Sequence, residues 1–356
     1  MSKYIEKFYT ITEHMSQVFD RTARKMGFSV GNREQYEIWK KNARAKVIEL
    51  LGLDLMETCD LKPELLESVR LDGYRRDKII IQTEPDVWMP VYCLIPDNIK
   101  TTGKNPVFVM PHGHAAGKYL AAGAIDIPIV KELHDRHFSG KPFFSIELVK
   151  EGYIVFCPDA RGAGERREWM KQSDDDFMGN THYALNNMAI SLGYSLAGMM
   201  TWDLIRLIDY IQTREDCDPG RIACGGISGG GMQSVWLAAV DDRVKCVITS
   251  GYFYGFKESF LELSGNCPCN FVPNLWKYFD MGDIGALIAP KPLLIESGIK
   301  DHLSGKSGIE NVKSQVEIAK QAYKLLGVED RIYNHIHSGG HEWNGEKSME
   351  FIRKWL

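Results

Sequence analysis

The 356-residue chain has no excess of positive charge: 43 Lys and Arg against 47 Asp and Glu leave a formal net charge of −4. The basic residues are scattered rather than gathered into a stripe, so a nucleic-acid partner lacks its electrostatic footprint. Long apolar runs are missing too. No stretch approaches the roughly 18 consecutive apolar residues of a membrane span, and Met1-Ser2-Lys3-Tyr4-Ile5-Glu6-Lys7 has no apolar segment with a cleavage site behind it. The expectation is a cytoplasmic chain with no membrane partner. No internal repeat or low-complexity tract appears. The eight cysteines are dispersed, several within apolar runs such as Val155-Phe156-Cys157, as expected of reduced, buried thiols. Cys267-Pro268-Cys269 is the one close pair, with no second pair or spaced histidines beside it in sequence. No metal is expected there.

What is present is an ordinary globular balance, 44% apolar and 25% charged, enough for a large core. Tyr36, Trp39, Ala43, Val47, Leu50 and Leu51 recur at helical spacing, predicting an N-terminal helical arm over 1–66. From 67 to 356 the signal is a second unit, opening with an antiparallel pair at 78–82 and 91–95. Short apolar runs separated by helical stripes follow, the pattern of a mostly parallel sheet covered on both faces. The predicted strands are 107–110, 153–157, 221–225, 246–250, 293–297 and 332–336. Three connections, about 115–150, 163–194 and 251–289, are too long for simple turns and are expected to build a binding site.

The strongest motif is Gly226-Ile227-Ser228-Gly229-Gly230 between a predicted strand and a predicted helix. A strand-to-helix turn that lifts a serine above a sheet needs small residues two before and two after it, because a Cβ there would collide. Without the strand the motif would be a glycine-rich turn, and a phosphate loop would need Gly-Lys-Ser/Thr, which is absent. A nucleophilic serine needs a base, and the base an orienting acid. Of the histidines after Ser228, His341 follows Ser338-Gly339-Gly340 just past the last strand, where it can reach back over the sheet. Asp301 lies in the loop after the 293–297 strand and is the expected acid; Glu296, at the strand's end, is its rival. Oxyanion donors are expected from the backbone N–H of Gly229 and, in Pro111-His112-Gly113-His114, from that of His114. Histidines 112 and 114 alone, with no third ligand near them in sequence, give no metal site. Asp159-Ala160-Arg161-Gly162-Ala163-Gly164-Glu165-Arg166 reads as a turn tied by Arg–carboxylate pairs, with anion binding by Arg161 or Arg166 as the alternative. Tyr252, Tyr254 and Trp276 in the third long connection are candidates for a substrate-facing wall, or for packing of the insert.

These stretches, with Asp283-Ile284-Gly285-Ala286-Leu287-Ile288-Ala289-Pro290-Lys291-Pro292 and Gly340-His341, resemble the α/β-hydrolase superfamily from about residue 67 to the end. In detail the chain looks like the dienelactone-hydrolase-like and acetyl-xylan-esterase-like branch. Dienelactone hydrolases proper use a cysteine nucleophile where this chain has Ser228, which favours esters. The resemblance implies an acyl-enzyme on Ser228, no cofactor, short acyl groups, and a small-molecule ester substrate such as an acetylated carbohydrate. A serine exopeptidase or amidase of the prolyl-oligopeptidase kind shares the elbow but normally carries a propeller that the arm is too short to form. A non-catalytic binding protein on this fold would be expected to lose a triad member, and none is missing.

Overall fold

The computed structural model describes residues 7–99, 104–137, 143–173, 176–263 and 265–356. Its centre is a nine-stranded sheet built from the short apolar runs: β1 (Glu64–Leu71), β2 (Tyr74–Glu84), β3 (Val87–Pro96), β4 (Asn105–Val109), β5 (Ile154–Pro158), β6 (Cys217–Ile227), β7 (Val244–Ser250), β8 (Leu293–Gly298) and β9 (Ile332–His337). The spatial order is β1-β2-β3-β5-β4-β6-β7-β8-β9. Strands β4 to β9 run parallel, while β1, β2 and β3 join antiparallel at one edge through the β3–β5 pair. The predicted hairpin is β2–β3, with Lys78 opposite Tyr92 and Ile79 opposite Val91.

Alternation along each central strand divides its side chains between two cores, as the two-residue period of a strand requires. Val107 and Val109 enter one core and Phe108 the other; Ile154 and Phe156 oppose Val155 and Cys157; Leu293 and Ile295 oppose Leu294. The first core is covered by the helices Arg33–Leu51, Leu196–Thr213, Gly229–Val240, Met281–Ile288 and Ile309–Leu326, the second by Phe144–Lys150 and Ser348–Trp355. The chain leaves β4 toward β5 on one side and returns as β6 on the other. Such a switch point opens a crevice beyond the carboxyl ends of the strands, where open α/β sheets bind ligands.

The N-terminal segment packs into the same core. Asn32 caps the helix Arg33–Leu51 by accepting from Gln35 N at 2.9 Å, and Gly52 ends it in the left-handed region at φ 72°. Its stripe of Tyr36, Ala43, Val47 and Leu51 is buried in the first core. Strand β1 begins at Glu64, inside the stretch expected to be helical arm. Each long connection carries its own helices: Lys118–Ala121, Pro128–His137 and Phe144–Lys150 in the first, His182–Ser191 in the second, Leu275–Tyr278 and Met281–Ile288 in the third. Among the described residues no helix is long and apolar enough to cross a membrane.

Candidate active site

Ser228 sits between the carboxyl end of β6 and the first turn of the helix Gly229–Val240, with φ 56° and ψ −118°. A non-glycine residue there is strained, and neighbours must hold it. Ser228 N donates to Ser250 O at 2.9 Å, tying the turn to the end of β7. The flanking glycines are required by space: a Cβ on Gly226 would lie 2.6 Å from Pro111 O, and one on Gly230 2.2 Å from the same oxygen. Thus the loop after β4 presses directly on the serine turn.

His341 Nδ1 and Asp301 Oδ2 are 2.9 Å apart, with the aspartate side chain 2% and the imidazole 21% exposed. Asp301 also accepts from Leu303 N at 2.9 Å, which fixes the carboxylate in its loop beyond β8. The imidazole lies against the chain just after β7: a Cβ on Gly251 would be 3.1 Å from His341 Nδ1 and 3.2 Å from Cδ1 of Ile227, the residue before the serine. His302 is exposed, its ring 6.1 Å from that of His341. Glu296 is fully buried and already engaged, accepting from Ser348 Oγ at 2.8 Å, Gly345 N at 3.0 Å and Asn344 N at 3.3 Å. It anchors the segment that follows His341.

The two histidines after β4 have different surroundings. His112 is buried; its Nε2 accepts from Ala160 N at 2.9 Å and its Nδ1–H faces Gly113 O. Burial pushes its pKa down to about 4, so it is neutral and joins the β4 and β5 loops. The His114 ring lies over the first turn of the serine helix, where a Cβ on Gly229 would be 2.9 Å from its Cε1. His114 Nδ1 is 3.4 Å from Ser228 Oγ and its Nε2 is 3.2 Å from Cys269 Sγ. His182 Nδ1 is 3.2 Å from Cys267 Sγ, and the two sulfurs are 3.1 Å apart. Sequence reasoning missed His182, Cys267 and Cys269 at this place, because the fold gathers them from separate long connections.

The Asp159–Arg166 turn is structural. Arg161 donates to Asp203 at 2.9 and 3.0 Å and to Glu84 at 2.5 Å, while Arg166 donates to Asp203 at 2.6 Å and to Asp159 O at 3.0 Å. Their side chains are 9% and 7% exposed, committed to internal partners. Tyr252 and Tyr254 are 3% and 2% exposed. Tyr254 meets Phe260 edge-on at 5.7 Å, and Trp276 stacks on Phe260 and packs against Phe19 of the N-terminal segment. These aromatics pack the third connection onto its neighbours.

Comparison with known proteins agrees with this architecture. The chain is 28% identical over 324 residues to the protein named "Putative hydrolase YtaP" of Bacillus subtilis (strain 168), covering 88% of this chain and 98% of that one. Among solved structures it superposes on a "putative acetyl xylan esterase" from Bacteroides fragilis NCTC 9343 with a TM-score of 0.77 at 20% identity, over 94% of this chain and 84% of the other. A glucuronoyl esterase from Solibacter usitatus gives a TM-score of 0.65 at 17% identity, over 93% and 96%. These two likenesses establish the fold. The model of the Abhydrolase family matches residues 3–339, and with the elbow at the carboxyl edge of a mostly parallel sheet, the chain belongs to that family of α/β-hydrolases.

Proposed function

We propose that this protein is a serine carboxylic-ester hydrolase acting on short-chain esters, with acetylated carbohydrates as the substrate class. The observation that carries the reading is the strained Ser228 turn at the head of a helix, with His341 packed at Gly251 next to Ile227 and held at 2.9 Å by a buried Asp301. Neighbours named as acetyl xylan and glucuronoyl esterases support the ester class, and the packed long connections support a small acyl group.

In this reading Ser228 Oγ attacks the ester carbonyl carbon while His341 Nε2 takes the hydroxyl proton. Asp301 keeps the other imidazole proton on Nδ1 and stabilises the imidazolium. The carbonyl oxygen, now negative, is met by the N–H of Gly229 at the positive end of the Gly229–Val240 helix and by the N–H of His114. His341 returns its proton to the alkoxide as the alcohol leaves. Water, deprotonated by His341, then attacks the acyl-enzyme, and Ser228 recovers its proton.

The test is covalent labelling with a fluorophosphonate probe, followed by a rate panel of p-nitrophenyl acetate to long-chain esters, acetylated sugars and aminoacyl amides. Wild type should be labelled and Ser228→Ala should not. Acetyl and butyryl esters should be turned over fastest. Labelling retained in Ser228→Ala would sink the nucleophile assignment, and preferred cleavage of the amides would move the protein to the peptidases.

A further inference from the structure

We propose that His114, His182, Cys267 and Cys269 form a tetrahedral Cys2His2 site for a zinc ion, beside the serine. Their ligand atoms all lie within 4.8 Å of one another, and His182 and Cys269 are buried. Zinc takes thiolate sulfur at about 2.3 Å and imidazole nitrogen at about 2.0–2.1 Å, which gives ligand-to-ligand edges of roughly 3.3–3.8 Å around a tetrahedron. Each nitrogen–sulfur pair, at 3.2 Å, is shorter than its edge of the tetrahedron by a few tenths of an ångström, and the sulfur pair, at 3.1 Å, by about 0.7 Å, a gap that a small rotation of the two cysteine side chains would open. The two imidazoles stand edge-on, with ring centres 5.6 Å apart, as two rings aimed at one point do.

The donor set selects the metal. Two thiolates and two neutral imidazoles cancel the charge of a divalent ion, so the filled site can be buried without a net charge. Thiolate with imidazole in fours is the ligand chemistry of structural zinc, whereas oxygen ligands would be needed for calcium or magnesium. Binding releases the two thiol protons to solvent. Both cysteines are free thiols, so no disulfide competes for them in this arrangement.

The ligands come from the turn after β4, the start of the helix His182–Ser191, and the loop around Pro268. A single ion would therefore cross-link all three long connections around the serine. It would also settle a proton. With Nε2 of His114 on the metal, the imidazole proton must sit on Nδ1, the nitrogen 3.4 Å from Ser228 Oγ. His114 then presents a fixed N–H donor toward the reacting centre, and this consequence alone rests on the reading of Ser228 as nucleophile.

The test is metal content, independent of any turnover. Full-length protein purified with zinc in the medium should carry about one equivalent by elemental mass spectrometry, and Cys267→Ser and Cys269→Ser about a tenth of that or less. Chelator-stripped wild type, refilled with cobalt(II), should show the intense visible bands of tetrahedral cobalt with sulfur-to-metal charge transfer, and this measurement stands even if the variants fail to fold. Wild type without zinc and without cobalt bands overturns the site, as does a Cys267–Cys269 disulfide in the native protein or full zinc retention in both variants. An inactive protein that still binds one zinc would count against the esterase reading and leave the metal site standing.

Discussion

At the scale of single residues, two carboxylates near the end of β8 have opposite fates. Asp301 turns its carboxylate to His341, while Glu296, five positions earlier, faces inward and receives Ser348 and the amides of residues 344 and 345. Strand geometry fixes the direction of Glu296, whereas the loop frees Asp301 to bend over the sheet edge. Asp301→Asn should leave melting unchanged and lower kcat by roughly three to four orders of magnitude, through the wrong imidazole tautomer and the lost stabilisation of the imidazolium. Glu296→Gln places an amide donor against three donors and should cost about 1–3 kcal/mol of stability, with a modest loss of rate through the loop that follows His341. Thermal melts and steady-state kinetics of both purified variants separate these effects. A well-folded Glu296→Gln without activity beside an active Asp301→Asn would exchange the two roles.

At the scale of elements, the N-terminal segment is fastened by one buried carboxylate. Asp283 receives Arg24 Nε at 2.9 Å and Nη2 at 2.8 Å, Phe28 N at 2.8 Å and Asp280 N at 2.8 Å, closing a capping box on the helix Met281–Ile288. Nearby, Tyr36 Oη donates to Ala289 O at 2.7 Å. Asp283→Ala leaves the buried Phe28 N–H and Asp280 N–H unsatisfied and removes the partner of Arg24. It should cost about 3–5 kcal/mol and expose the segment before residue 33 to limited proteolysis well ahead of the sheet. Unchanged cleavage kinetics with unchanged melting would show that this contact does not hold the segment.

The same scale shows what could be read in advance. The six parallel strands and the β2–β3 hairpin were legible because their apolar runs are short and bounded by turn residues. The His341–Asp301 pair was legible because each follows its own strand, at the edge where Ser228 follows β6. Strand β1 was not, because nearly all of it is exposed at the sheet edge, with Leu65 and Leu66 in solvent, so no apolar alternation marks it. The Cys–His cluster was illegible for a different reason. His114 and Cys269 are 155 positions apart and His182 and Cys267 are 85 apart, and only the packing of three long connections brings them together. Tyr252 and Tyr254 could be recognised as aromatic but not as buried, since burial there depends on Phe260 packing against both, with Trp276 stacked on Phe260 in turn.

At the scale of the whole molecule, buried ion networks join parts of the chain that the sheet alone does not. Lys118 is fully buried between Asp159, 2.7 Å away, and Glu165, which also receives Lys78 from β2 at 2.7 Å. Asp203, from the helix Leu196–Thr213, sits between Arg161 and Arg166. Burial by itself would raise both acids, but the Lys118 ammonium, with Lys78, brings Glu165 down to about 2, and Arg161 and Arg166 bring Asp203 down to about 2. For an acid depressed by folding, the stabilisation is present above the unfolded value and lost as pH falls through the folded one. For Glu165 that window runs from about 4.5 down to about 2. Wild type should therefore lose stability progressively over this interval, and Glu165→Gln, which has no carboxylate to protonate, should follow a shallower slope. At pH 7 the variant should be less stable by on the order of 1–3 kcal/mol, since Lys118 keeps Asp159 but loses its second carboxylate. Near the acid end the two curves should converge, because wild-type Glu165 is then neutral as well. Urea melts at a series of pH values test this, and a wild-type-minus-variant difference that stays constant with pH would mean that Glu165 contributes through packing rather than through its charge.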